Sequence, residues 1–103
     1  MNSPLKSVLI VEAKFYPEIS TDLADGAISV LDAQGFSFER VEVPGIFEIP
    51  QATKIFWESG SFCGSISLGC VIRGETDHYD HICREVSRKL MDLALEFRMP
   101  YGF

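Results

Sequence analysis

Residues Ser7 to Val11 read Ser-Val-Leu-Ile-Val, an unbroken apolar run rich in β-branched side chains. A strand with one wet face alternates; one that is apolar throughout must be buried on both faces, as in the centre of a parallel sheet. Parallel neighbours in turn require crossover connections of about a dozen residues, usually helical. The following segments have that form. After Pro17, the residues Ile19, Leu23, Ala27, Val30 and Leu31 make a helical stripe that Gly35 can end. Phe36 to Val43 alternates with period two, which predicts a strand with one wetter face at a sheet edge, and Pro44-Gly45 breaks it. A second helix is expected from about Phe47 to Ser59 on the stripe Ala52, Ile55 and Phe56, then a buried strand over Gly64 to Ile72 and a polar turn over Gly74 to Asp77. The longest helix is predicted from His78 to Met99, with Ile82, Val86, Leu90, Leu93 and Phe97 on one face. Pro100 stops it, and Tyr101-Gly102-Phe103 begins one more strand. This alternation, without repeats or linkers, defines an α/β fold: a three-layer α/β/α sandwich on a parallel sheet with right-handed crossovers, one domain over residues 1–103.

Fifteen acidic residues against nine basic ones give a formal net charge of −6. A nucleic-acid partner needs a basic face to displace counterions, and an anionic membrane surface needs the same, so both are excluded as expected partners. No apolar run approaches the roughly 18 residues of a spanning helix, and the first six residues lack the apolar block of a signal peptide. Cys63, Cys70 and Cys83 are odd in number and show no CxxC spacing. They favour small, partly buried residues in a reducing cytoplasm over a disulfide framework or zinc ribbon.

In parallel sheets of this kind ligands sit beyond the carboxyl ends of the strands. Three segments should converge there: Ala13 to Tyr16, Pro44 to Glu48, and Cys70 to His78. Phe15 and Phe47 can stack on a flat ring, although either alone is more often a core residue. Glu48 can accept hydrogen bonds from ring N–H or sugar hydroxyl groups. Gly74, Glu75 and Thr76 precede a helix, where free N–H groups favour a phosphate, while Asp77 alone would make an ordinary cap. His78 stands at that helix start and can move protons near neutral pH. His78, Asp80 and His81 are close enough to raise a metal site, yet HxxH without an HExxH context is a weak signal, and no metal is expected. Neither a GxSxG elbow, a GxGxxG turn nor a P-loop occurs.

Val43-Pro44-Gly45-Ile46-Phe47-Glu48-Ile49-Pro50, followed by Leu68-Gly69-Cys70-Val71-Ile72-Arg73-Gly74-Glu75-Thr76-Asp77-His78-Tyr79-Asp80, resembles the 6,7-dimethyl-8-ribityllumazine synthase family, with Lys14-Phe15-Tyr16 in place of its first loop. The resemblance covers nearly the whole chain. It implies a flavodoxin-like sheet and an enzyme, a transferase of riboflavin biosynthesis joining 5-amino-6-ribitylaminouracil to a four-carbon hydroxyketone phosphate without metal or organic cofactor. By the same resemblance Phe15 stacks on the pyrimidinedione, and Ile46, Phe47, Glu48, Cys70, Val71 and Ile72 line the pyrimidine and ribityl pocket. Glu75 and Thr76 hold the second substrate's phosphate through backbone amides, and His78 transfers protons. Phe103 reaches the ring bound in an adjacent subunit, because the family assembles as pentamers, sometimes stacked into larger shells. His81 matches no catalytic position and reads as a helix-surface residue.

The resemblance also implies that the chain lacks the rest of the last strand, two further helices and an arginine that grips phosphate across the subunit interface. None of Arg73, Arg84, Arg88 and Arg98 takes that arginine's place. The third strand is then expected to keep an open edge beyond Tyr101. The alternatives are a truncated, catalytically impaired homologue and a riboflavin synthase of related fold. The motifs at 43–50 and 74–78 favour the lumazine-forming enzyme over the latter.

Overall fold

A computed structural model describes residues 6–13, 17–69 and 78–102, without the side chains of residues 17 and 78–80. Four parallel strands are ordered β2-β1-β3-β4: β1 is Ser7–Ala13, β2 Ser37–Val43, β3 Gly64–Leu68 and β4 Tyr101–Gly102. Between them run α1 (Pro17–Ala33), a 3-10 turn (Ile46–Glu48) leading into α2 (Ile49–Ser59), and α3 (His78–Glu96). The apolar run is the central strand as expected. It pairs with β2 from Ser7↔Ser37 to Ala13↔Val43 and with β3 from Val8↔Gly64 to Glu12↔Leu68.

Each face of β1 meets its own helix layer. Leu9, Val11 and Ala13 join Ile46, Ile49, Val86 and Leu90 beneath α2 and α3. Val8 and Ile10 pack with Leu31 of α1 and with half-buried Ile28, Phe36 and Phe38. That is the predicted three-layer order. β2 lies at the sheet edge as expected, but its alternation changes phase at Glu39-Arg40. Phe36 and Phe38 pack with Val8 and Ile10 on one face, Val41 and Val43 with Leu9 and Val11 on the other, and Glu39 and Glu42 are exposed on opposite faces. The other edge is partly closed: β4 pairs Tyr101 with Ser65 and Gly102 with Ile66, so the expected open edge on β3 is covered over two residues.

The helix ends follow local chemistry. Pro17 occupies the first position of α1, where its missing N–H costs nothing. At the far end Phe36 N–H donates to the Leu31 carbonyl at 2.9 Å and Gly35 N–H to Asp32 at 3.2 Å, a Schellman closure that places Gly35 at φ +79°. α3 closes in the same way, Met99 N–H donating to Ala94 at 2.9 Å and Arg98 N–H to Leu95 at 3.4 Å. Here Arg98 takes the left-handed conformation at φ +51°, and α3 ends at Glu96 rather than Met99.

Other sequence expectations are corrected as well. In α1 the buried face is Ser20, Ala24 and Leu31, whereas Ile19, Leu23 and Val30 are exposed. The packed face lies one position round from the apolar stripe, where small Ser20 and Ala24 let the helix approach the sheet. Helix α2 starts at Ile49, because Ile46–Glu48 forms a separate 3-10 turn and Pro50 sits in the first turn of the helix proper. Its buried residues are Ile49 and Thr53, with Ala52 and Trp57 packed against the core; Ile55 and Phe56 of the expected stripe are exposed. Thr53 turns inward because its hydroxyl donates to the Ile49 carbonyl at 2.8 Å, which satisfies the only polar group it buries. Finally, β3 ends at Leu68, and the portion of the expected strand over 70–72 lies outside the described residues. On α3 the predicted stripe holds: Val86, Leu90 and Leu93 are buried, with Ile82 and Phe97 half-buried.

Candidate functional site at the carboxyl ends of the strands

β1, β2 and β3 all point the same way, so their carboxyl ends, Ala13, Val43 and Leu68, lie at one edge of the sheet. Between the ends of β1 and β3 sits the 3-10 turn. Ile46 is buried beneath it, and the turn closes through Glu48 N–H donating to the Gly45 carbonyl at 3.2 Å and Ile49 N–H to Ile46. Gly69 is what lets the turn settle there. A Cβ at residue 69 would stand 2.6 Å from Ile46 Cγ2, with Ala13 Cβ and Ile49 Cδ1 at 3.6 Å, so a side chain would displace the turn. Leu68-Gly69 of the second motif thus supports Ile46 of the first, a contact between residues far apart in sequence.

Once Ile46 is anchored, its two neighbours face outward. Phe47 is 61% exposed, an unusual position for a large aromatic ring. Glu48 is exposed too, its Oε2 folding back to within 3.2 Å of the place a Cβ on Gly45 would occupy. Among the described residues its carboxylate has no hydrogen-bond partner. An open ring beside an uncommitted carboxylate can stack a planar ligand and accept its N–H or O–H groups. Phe47 and Glu48 also line a groove of about 710 Å³ between α2 and α3, together with Ile55, Val86, Lys54 and Lys89. That volume is within the range of small-molecule sites.

The start of α1 is tied to the same edge by Ser20, whose buried hydroxyl donates to the Ala13 carbonyl at 3.0 Å. At the third strand, His78 is the first residue of α3. Of the site residues named from sequence, the structure brings Ile46, Phe47 and Glu48 together at the sheet edge. Phe15, Cys70, Val71, Ile72, Glu75, Thr76 and Phe103 lie outside the described residues, as do Arg73, Gly74 and the expected cap Asp77, and so does the side chain of His78. His81 is exposed on α3, as a helix-surface residue should be. Cys63 and Cys83 are free thiols, half-buried, and no cluster of three or more metal-ligating side chains occurs among the described residues.

Sequence reasoning missed two buried polar features. Glu12, near the end of the central strand, is 1% exposed and grips Arg40 of β2, with Arg40 Nε at 2.7 Å from Oε2 and Nη2 at 2.9 Å from Oε1. An acid that interrupts an apolar run was the signal available. The second is Tyr101, whose hydroxyl hydrogen-bonds Ser67 Oγ; burial pushes its phenol up to about 12.

An open parallel sheet with helices on both faces defines the doubly wound α/β class. Within that class, a family profile described as 6,7-dimethyl-8-ribityllumazine synthase matches residues 6–103. Curated proteins of that name are similar across most of the chain. The Methylobacterium radiotolerans protein is 43% identical over 95 residues, covering 92% of this chain and 58% of its own length. The Sphingopyxis alaskensis protein is 47% identical over 89 residues, covering 86% and 63%. The Nitrobacter hamburgensis protein is 43% identical over 99 residues, covering 91% and 61%. The chain belongs to the 6,7-dimethyl-8-ribityllumazine synthase family, and it spans roughly three-fifths of the length of these relatives.

Proposed function

We propose that the chain takes part in the condensation of 5-amino-6-(D-ribitylamino)uracil with 3,4-dihydroxy-2-butanone 4-phosphate to 6,7-dimethyl-8-ribityllumazine. The observation that carries this reading is the Gly69–Ile46 contact, which holds exposed Phe47 and Glu48, its carboxylate without a hydrogen-bond partner among the described residues, at the carboxyl ends of three parallel strands. Membership of the family supports it.

In this reading Phe47, with Phe15, sandwiches the pyrimidinedione, and Glu48 accepts hydrogen bonds from the ring or ribityl chain. Ile46, Cys70, Val71 and Ile72 close the pocket. Glu75 and Thr76, ahead of α3, offer backbone N–H groups to the phosphate, where the helix dipole favours negative charge. The ring's 5-amino group attacks the ketone and loses water to give an imine. Inorganic phosphate then leaves, and the ribitylamino nitrogen closes the second ring with loss of a second water. His78 shuttles the protons, because a neutral imidazole accepts at one nitrogen while it can donate at the other. The protein mainly orients two reactants, an effect that can contribute several kcal/mol, and a placed imidazole typically adds about 10² to 10⁴-fold. The step needs neither metal nor organic cofactor. Self-association into a ring, with Phe103 completing a neighbour's site, fits the exposed apolar residues Met91 and Leu95 on α3 and Ile55 on α2. The cytoplasm is the proposed location.

The test is to mix both substrates with the purified chain and follow lumazine absorbance together with phosphate release. One phosphate per lumazine, at a rate well above the uncatalysed reaction, supports the reading. Ligand binding without product would leave a non-catalytic homologue, and neither binding nor product would remove the assignment.

A further inference from the structure

The carboxylate of Glu12 is the one charged group within the apolar centre of the sheet among the described residues, and its partner comes from the edge strand. Arg40 meets both oxygens of Glu12 side-on, while its own side chain remains 39% exposed. The two residues are not opposite each other. Ile10 is the register partner of Arg40, and Glu12 is the partner of Glu42, so the pair spans a diagonal. Buried ion pairs are poor sources of net stability, since apolar replacements of similar volume often do as well, but removing one partner leaves a costly unpaired charge. Such a pair discriminates between arrangements more than it stabilises any one of them.

We propose that Glu12 and Arg40 are positioning residues that hold β2 in its stagger against β1 and so set where Phe47 and Glu48 stand relative to the carboxyl end of β1. The functional half of this inference rests on the ligand reading above. A strand that slides by two residues keeps its inward and outward faces, so alternation alone does not prevent it, and the turn after β2 would move by roughly 6.6 Å. Sliding β2 so that Glu42 faces Ile10 would carry Arg40 opposite Val8 and strand the Glu12 carboxylate in the interior. Sliding it the other way would pull Phe36 and Phe38 off Leu31 and break the Schellman closure of α1. Side chains on one flank and the ion pair on the other therefore lock the stagger. Arg40 suits the task because Glu42 and Asp25 also lie within electrostatic range and, with Glu12, hold its guanidinium protonated.

The experiment compares the intact chain with Glu12→Gln, Arg40→Met, the double variant and Arg40→Lys. Two quantities are read: amide exchange at Glu48 and Ile49, whose N–H groups close the turn, and affinity for 5-amino-6-(D-ribitylamino)uracil. Both single variants are expected to speed exchange at these two amides about tenfold relative to Ser65, whose N–H is held by Pro100 at the opposite edge. Affinity of the folded fraction should weaken about fivefold in each, the double variant should be no worse than either, and Arg40→Lys should recover part of the loss. A purely stabilising pair would lower the melting temperature and leave relative exchange and affinity unchanged, which would overturn the proposal. If the intact chain binds no ribitylaminouracil, the ligand reading fails by itself and the exchange ratio alone decides the positioning role. If Glu12→Gln does not fold, Arg40→Lys, which keeps a cation beside the carboxylate, supplies the same comparison in milder form.

Discussion

Replacing Phe47 by alanine should separate binding from folding. The residue is 61% exposed, so of the roughly 200 Å² that a phenylalanine offers, about 120 Å² remains open to a ligand. A planar ring stacked on one face covers about half of that, and at ~25 cal/mol per Å² the ~60 Å² so buried is worth about 1.5 kcal/mol. Phe47→Ala should therefore weaken binding of 5-amino-6-(D-ribitylamino)uracil about tenfold. Because the ring buries little within the chain, stability should fall by less than about 1 kcal/mol. The matched control is Ile49→Ala, two residues along and fully buried, which should cost about 2 to 5 kcal/mol of stability. In a chain of this size each kcal/mol is about 4 to 8 °C in melting temperature. Calorimetric titration and thermal unfolding of both variants make the comparison. Affinity in Phe47→Ala within twofold of the parent, or a stability loss larger than that of Ile49→Ala, would refute the reasoning.

Arg98→Gly should raise stability by about 0.5 to 1 kcal/mol, because the side chain is held at φ +51° at the end of α3, where glycine carries no steric penalty; a lower melting temperature would show that the guanidinium makes a contact of greater worth. Tyr101 has a phenol raised to about 12 in the folded chain, above its unfolded value near 10, so its contribution is complete below pH 10 and is lost as pH rises toward 12. Unfolding followed across that window should lose much of its pH slope in Tyr101→Phe, and an unchanged slope would contradict the assignment. His78→Ala should lower turnover with substrate affinity nearly intact, whereas His81→Ala, on an exposed part of α3, should change neither; the opposite pattern, with activity that follows added zinc, would favour a metal centre.

What the sequence revealed and what it hid have physical causes. The Ser7–Val11 run marked the middle of the sheet because burial on two faces leaves no ambiguity, and the polar residues within Phe36–Val43 marked its edge, although the alternation there changes phase at Glu39-Arg40. The stripe of α3 was legible for the same reason, its apolar residues falling every three or four positions. In α1 and α2 the apolar pattern misled. Ser20, Ala24 and Thr53 are buried because they are small or satisfy their own hydroxyls, while Ile19, Val30, Ile55 and Phe56 remain exposed, and hydrophobicity alone cannot make that distinction. At the site, Phe47 and Glu48 were recognisable from their motif and from following a strand. The reason they stand where they do was not, since it is a steric contact between Gly69 and Ile46 across two elements. The Glu12–Arg40 pair was likewise invisible, because the diagonal that joins the two side chains exists only once β1 and β2 are in register.

The central claim is that the ligand sits at the carboxyl ends of the parallel strands, against the turn after β2 and the start of α3. The most direct test is amide chemical-shift mapping of the intact chain titrated with 5-amino-6-(D-ribitylamino)uracil. The account predicts that the largest shifts fall on Ile46, Phe47, Glu48, Gly69 and the first turn of α3, with Ser7, Ser37 and Gly64 at the opposite edge unmoved. Saturable shifts centred on those three residues, or confined to Lys54, Lys89 and Leu93 away from the strand ends, would place the ligand elsewhere and contradict it.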